Sequence, residues 1–579
     1  MFDLLIKNAS IVDGTGTRPG YSGDVAVTGD RITEVGKISG TAKETIDAQG
    51  LTLTPGFVDI HTHYDGQASW DSVLKPSSQH GVTSIGMGNC GVGFAPVQAD
   101  HHKLLIWLLE GVEDIPGTAL TEGLTWDWES FPDYLDALSR RKYSIDVGAH
   151  IPHAAVRTYV MGDRGADHTA NPTDAEIQRM EDLTYDALRA GAIGFSTSRS
   201  LAHRTIQGEN IGTLTASERE LSFAARALRR AGAGVFQLIS DAYLTGDDAF
   251  AEQELRLIRH LSDISGRRPL SFSLMQSPNV PERWRMLLQH TAQLVGEGHH
   301  VRTQVAPRPI GLTMGLPGSV NPFSKTETYM AIAAEPLAEK VRIMSRPDIK
   351  AKMIAEHAAL DRNDPLAFIL DIFHNLHRMS DPVDYEPLPG KSIGAEAERA
   401  GRKPVEYAYD VLLEDGGKRL LYTPIVNYVD GNLNSTYEMM TSPNSLFGLS
   451  DGGAHCGTVA DASFPTTTIS LWSRGNRDGK RISLEKLVHG YSQRNAQHVG
   501  WRDRGVVAPG YRADINLIDI DNLSLSPPHT VTDLPSGASR FLQKAHGYKK
   551  TFKNGVCTFE NGEWTGALPG KLLRGEQKL

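Results

Sequence analysis

Pro55-Gly56-Phe57-Val58-Asp59-Ile60-His61-Thr62-His63-Tyr64-Asp65 is the stretch on which the fold turns. Together with Leu51-Thr52-Leu53-Thr54 before it, it is apolar and rich in strand formers, the composition of a parallel strand buried on both faces. Side chains alternate along a strand, so His61 and His63 point to the same side at its C-terminal end. Two imidazoles so placed can hold one divalent metal through their neutral nitrogens, and parallel barrels carry their chemistry at that end. A His-x-His pair also arises by chance, each ring a hydrogen-bonded core residue. The strand that leads into it is what favours the metal.

Outward from this strand, the chain alternates helices and strands. Val82–Met87 and Ile145–His150 read as strands. A helical stretch over 175–190 leads into a strand at Ala192–Thr197, one over 218–231 into Gly234–Ser240, and one over 252–266 into Pro269–Met275. So many α-then-β units predict a closed (β/α)8 TIM-like barrel over 55–504. Both ends of the chain are instead strand-rich, with turn signals at Asn554-Gly555 and Asn561-Gly562. Residues 1–54 and 505–579 are therefore expected to build one small β-sandwich domain. Residues 305–420 break the rhythm and are expected to form an insertion over the barrel mouth, a lid or else surface decoration.

The 579 residues are 40% hydrophobic and 22% charged, with a formal net charge of −10 and no long acidic run. That disfavours nucleic acid and anionic membranes as partners. No window resembles a membrane span, and the start lacks the features of a signal peptide. The three cysteines, Cys90, Cys456 and Cys557, are too few for a disulfide scaffold and point to a reducing cytoplasm. A small-molecule substrate is the expected partner, with a homo-oligomer left open.

Two further motifs carry chemistry. Gly88-Asn89-Cys90-Gly91 follows a strand, and its glycines let the backbone turn and present a thiol at the rim. A buried cysteine is ordinarily a small core residue; here its thiolate could complete or bridge a metal site. Ser450-Asp451-Gly452-Gly453-Ala454-His455 places a carboxylate at the same rim, able to ligate a metal and shuttle a proton. A lone Asp-Gly also commonly just starts a turn.

With these motifs the chain resembles the amidohydrolase superfamily and, within it, the N-acyl-D-amino-acid deacylases, or D-aminoacylases. The likeness covers nearly the whole length. It includes the His61-x-His63 strand, Gly81–Gly91, Ala190–Thr197, Ser450–His455, Asp503–Asp514 and Asn554-Gly555-Val556. The Gly-Asn-Cys-Gly element is the most specific part. The resemblance implies a divalent metal, zinc first, held by His61, His63, Cys90 and Asp451, with Asp451 as the catalytic acid and base. It also implies two further histidine ligands, one from each of the two strands after Thr197. Neither strand here contains a histidine; Gln237 and Leu274 stand in their neighbourhood, so one ion or two is left open.

His150, His153 and His455, close to the rim in sequence, are candidate substrate contacts, as are Arg157 and Arg199 if the substrate carries a carboxylate. His203 is a weaker candidate, whereas His80 reads as structural and His299-His300 as solvated. Three functions follow. The first is metal-dependent hydrolysis of an N-acyl amino acid or related amide. The second is hydrolysis of a cyclic amide, lactone or activated C–C bond at the same site. The third is a metal-poor binding or assembly relative.

Overall fold

The computed structural model describes residues 1–579, the side chain at position 365 excepted. Eight strands lie side by side in chain order: Phe57–Thr62, Val82–Met87, Asp146–Pro152, Gly194–Arg199, Val235–Ser240, Leu270–Ser273, Val301–Val305 and Ser445–Phe447. Every neighbouring pair is parallel. Nearly all their residues are buried, as strands with a core inside and helices outside require. The sheet closes on itself at the top, where His63 N–H donates to the Gly452 carbonyl at 2.8 Å and Asp451 N–H to the His61 carbonyl at 3.1 Å. Lower on the same seam the Asn495 amide donates to the Val58 and Phe447 carbonyls at 2.9 and 2.7 Å. The predicted barrel is present, and its closing seam brings Asp451 beside the His61-x-His63 strand.

The outer helices start and stop as the sequence instructs. Asp174–Ala190 is opened by a reciprocal Thr173–Glu176 capping box, and Glu218–Ala231 by the Ser217 hydroxyl. They end at Gly191 and Gly232 in the left-handed conformation that glycine adopts without cost.

The base of the barrel is plugged by Val58, Ile60, Ile193, Val235, Leu446, Trp501 and Leu573. Leu573 comes from the end of the chain, which returns to bridge the third strand at Val147 and the segment at Trp501. Removing such a fully enclosed leucine costs about 2–5 kcal/mol. Around the plug runs a buried ionic network: Asp146 meets Arg504 at 2.6 Å and Lys553 at 2.6 Å, Lys553 meets Asp514 at 2.8 Å, and Asp503 meets Arg504 and Arg512, each at 2.9 Å.

Strands from both ends of the chain share one nine-stranded sheet. Phe2–Ile11 pairs antiparallel with Tyr21–Thr28 and parallel with both Ala42–Asp47 and Thr52–Pro55. Thr52–Pro55 then pairs with Ile515–Ile518, which carries Tyr548–Lys553 and Val556–Glu560. Between the seventh and eighth barrel strands lies the insertion. The antiparallel strands Ile310–Met314 and Leu421–Val426 enclose helices such as Leu337–Met344, Pro347–Ala358 and Ile393–Arg399 around a core of their own. Hydrogen bonds fix it to two mouth loops: Asn427 N–H to Gln276 O at 2.9 Å, and Thr313 N–H and Ser319 N–H to the carbonyls of Thr458 and Gly457 at 2.7 and 2.9 Å. Among the described residues, no helix is long and apolar enough to cross a membrane.

Candidate metal centre

His61 and His63 project into the barrel mouth from the end of the first strand, both almost fully buried. The Gln304 carbonyl oxygen, at the end of the seventh strand, lies 2.7 Å from His61 Nδ1, and the Gln304 amide in turn donates to Ser271 Oγ at 2.9 Å. That orientation makes Nδ1 the protonated nitrogen of His61 and leaves the Nε2 lone pair free. A partner of this kind fixes the tautomer and aim of a metal-binding imidazole. Glu113 Oε1 stands 3.3 Å from His63 Nδ1 with no hydrogen bond between them.

Cys90 reaches the same point from the second strand. Its φ of 56° puts a non-glycine residue in the left-handed region, between two glycines that no other residue can replace. A Cβ at Gly88 would lie 2.5 Å from the His150 carbonyl, and one at Gly91 2.7 Å from Thr197 Cα. The Gly-Asn-Cys-Gly element is thus wedged against strands three and four, and its sulfur sits 3.5 Å from His61 Nε2 and 3.7 Å from His63 Nε2. On the closing seam, Leu449, Asp451 and His455 all have positive φ near 50–60°, strain concentrated in one short loop. The turn carries Asp451 Oδ1 to 3.3 Å from His61 Nε2 and 3.6 Å from His63 Nε2.

These separations suit a metal. Donors bound to one ion at about 2.0–2.3 Å in a tetrahedral shell lie roughly 3.3–3.7 Å apart. His61, His63 and Cys90 alone bring three donor atoms within 4.8 Å of one another. Asp451 Oδ1 is buried and has no hydrogen-bond donor. The protonation states agree. Burial holds both imidazoles neutral, His63 down to about 4, against the pull of Asp451. Burial opposes ionisation of Asp451 too, but the imidazoles of His63, His61 and His455 beside it hold it below the usual carboxylate range. Burial raises the Cys90 thiol, and the carboxylates of Glu113, Asp451 and Asp65 raise it further, so only a nearby cation would make it a thiolate.

Among the other predicted site residues, His455 belongs to this group, its Nε2 3.8 Å from Glu113 Oε2. His203 also faces it: its Nδ1 lies 2.8 Å from Ser198 Oγ, and its ring feels the charges of His63, His455, Asp451 and His61. The rest lie elsewhere. The third strand runs on to Pro152, so His150 stands within the barrel rather than on its rim, its ring beside Gly194. His153 opens the next helix, bonded to Thr197 Oγ1 at 2.8 Å and packed on Phe195 and Phe223. Arg157 pairs with Glu220 at 2.9 Å and Arg199 with Glu254 at 2.9 Å, both buried behind the strands. His299, expected in solvent, is buried against Ser262, while His80 is a buried structural residue bonded to Thr466.

Sequence reasoning missed Glu113 and Gln304. Each left a signal. Glu113 is an acid in the last turn of helix His102–Glu113, where the helix dipole disfavours it. Gln304 is a polar residue in a buried strand. Where histidine ligands were expected, Gln237 accepts a hydrogen bond from Cys90 N–H at 3.3 Å, and Leu274 is wholly buried.

Residues 44–559 match the model of the amidohydrolase family. The chain belongs to that family. An uncharacterized protein of Mycobacterium tuberculosis is 27% identical over 555 residues, covering 91% of this chain and 86% of that protein. The D-aminoacylase of Alcaligenes xylosoxydans xylosoxydans is 37% identical over 199 residues, covering 34% of this chain and 37% of the enzyme. In architecture the amidohydrolase chain resembles the crystal structure of D-aminoacylase, with a TM-score of 0.63 at 22% identity over 99% of this chain and 100% of that one. It also resembles N-acyl-D-glutamate deacylase of Bordetella bronchiseptica, solved with zinc and a phosphonate inhibitor, with a TM-score of 0.64 at 21% identity over 99% of each chain.

Proposed function

We propose that this amidohydrolase is a metal-dependent hydrolase of an amide C–N bond, acting on an N-acyl amino acid or a related small amide. The observation that carries this reading is the convergence of His61 Nε2, His63 Nε2, Cys90 Sγ and Asp451 Oδ1 at metal-ligand separations. A zinc-class ion held there would lower the pKa of water and polarise a carbonyl. His61, His63 and Cys90 would hold it, with Gln304 keeping the His61 imidazole aimed and Glu113 beside that of His63. Asp451, a carboxylate at neutral pH, takes the proton of the attacking water and delivers it to the departing nitrogen. An amide nitrogen is too poor a leaving group to depart as an anion, so one group must serve both steps.

One ion is the number the side chains favour. Gln237 is turned to Cys90 and Leu274 offers no donor, so a second ion would lack most of its shell. The test is metal content per chain beside turnover of a panel of N-acetyl amines and amino acids. About one ion per chain, lost in His61→Ala together with all turnover, is the expected result. A metal-free protein with unchanged amidase activity would sink the reading.

A further inference from the structure

Two arginines at the base of the barrel lack what its other arginines have. Elsewhere the buried guanidinium groups each face a carboxylate: Arg157 meets Glu220, Arg199 Glu254, Arg308 Asp461 and Arg504 Asp146, at 2.6–3.0 Å. Arg302 lies at the start of the seventh strand, and Arg494 ends the helical turn Gly490–Arg494. Both are partly buried, and among the described residues neither has an ion-pair partner. Arg302 donates to the Val301 carbonyl at 2.9 Å and to Asn444 Oδ1 at 3.5 Å, and Arg494 to the Ser445 carbonyl at 3.2 Å. Burial works against the charge of each, and the nearby Arg302 works further against that of Arg494.

Both arginines line one cavity of about 280 Å³ at the foot of the barrel. Its other polar walls are His300, just before the seventh strand, and Gln497 and His498 of helix Asn495–His498. Among the described residues, no carboxylate lines it. His498 Nε2 is buried without a hydrogen-bond partner. A second cavity of about 190 Å³ adjoins the first, shares His300, Gln497 and His498 with it, and adds Arg267, Arg268 and Arg502. The one carboxylate on that second wall, Glu576, is engaged by Arg268 at 2.9 Å. In a chain of net charge −10, this is a local excess of cations.

A guanidinium presents five donors in a fixed fork, and these two spend few of theirs on the protein. A phosphate supplies what the cavity lacks, because its oxygens accept several charge-assisted hydrogen bonds at once and its charge offsets both cations. We infer that the base of the barrel carries a binding site for a phosphate group, free or borne by a small molecule, held by Arg302 and Arg494 with Gln497 and His498 at its edge. The site lies at the opposite end of the barrel from the candidate metal centre and stands whatever bond is cleaved there.

Isothermal titration calorimetry of the full chain with inorganic phosphate, at an ionic strength fixed with chloride, tests this. The expected result is saturable binding of one phosphate per chain. It should persist in His61→Ala, which disables the metal centre, and weaken by about tenfold or more in Arg302→Gln and in Arg494→Gln. Gln497→Glu, at an exposed position on the cavity wall, sets a carboxylate beside the phosphate without disturbing the core. It should weaken binding to a similar degree, and it keeps the test open where an arginine variant fails to fold. Phenyl phosphate separates the two sources: tighter binding than inorganic phosphate identifies a phosphate borne on a small molecule, and equal or weaker binding identifies the free ion. The inference is overturned by an absence of saturable binding or by its loss in His61→Ala. Binding unchanged in Gln497→Glu and in the folded arginine variants overturns it equally.

Discussion

The two ends of the barrel bury titratable side chains in opposite ways. At the base every anion has its cation: Asp146 lies between Arg504 and Lys553, Lys553 also meets Asp514, and Asp503 bridges Arg504 and Arg512. At the mouth Asp451 and Glu113 face imidazoles and a thiol, and Asp451 Oδ1 and Glu113 Oε1 have no hydrogen-bond donor. A buried carboxyl without a partner is expensive, and burial holds that of Glu113 well above the usual carboxylate range until something outside the chain completes it. The ionic network at the base is therefore finished by folding, and on the proposed function the mouth is finished by a cation and a substrate.

If that contrast is right, the ends should fail differently. The largest effect is expected from His61→Ala or His63→Ala. Each removes a donor from a centre with few to spare, and activity should fall by about a thousandfold or more, to background, with loss of bound metal. Elemental analysis and kinetics on the same preparation check this, and circular dichroism should show an intact fold. At the base, Asp146→Asn leaves Arg504 and Lys553 short of an anion. Breaking a buried pair from one side costs about 3–5 kcal/mol, so chemical denaturation should show a loss of that order. Metal content of the folded fraction should not change. Loss of metal in Asp146→Asn with stability intact would break the comparison.

How much of this was legible beforehand depended on the distance over which each group acts. The His61-x-His63 pair follows from the two-residue period of a strand, and the Cys90 and Asp451 turns from glycines that the backbone visibly needs. The alternation of helix and strand was enough for the barrel. Arg157 and Arg199 misled because a cation near a strand end reads as a ligand for substrate. Their partners, Glu220 and Glu254, sit on later helices that only folding brings behind the strands. Gln304 was invisible for the same reason, lying 243 residues from the histidine it orients. His150 was misplaced because the strand runs on through it to Pro152 instead of ending there.

Glu113 tests the mouth at finer grain. It is not itself a predicted ligand but stands 3.3 Å from His63 Nδ1 and has one oxygen near His455. Glu113→Gln keeps its size but removes the acid that a bound cation would call on, and should weaken metal binding by about 10–100-fold, the usual cost of a lost supporting partner. A competition titration against a chelator reads this directly. Unchanged affinity would mean that His63 is oriented by packing alone.

The smallest expected effect is a slope in pH. His150 stands within the barrel, almost fully buried, and burial together with the charges of His61 and His498 holds it neutral, down to about 3. In the unfolded chain it would titrate near its ordinary value of about 6.5. Its folded pKa is thus depressed: the stability it contributes is complete above about 6.5 and is lost as pH falls toward 3, because only the unfolded chain takes the proton there. One such proton tilts stability by about 1.4 kcal/mol per pH unit. Replacing the ring in His150→Asn should therefore flatten the stability profile between pH 6 and 4 by about that slope, measured by denaturation of the metal-free protein. The same substitution should leave the profile above pH 7 parallel to that of the parent. A difference that appears only above pH 7 would assign the proton to another group and detach the barrel interior from the acid limb of stability.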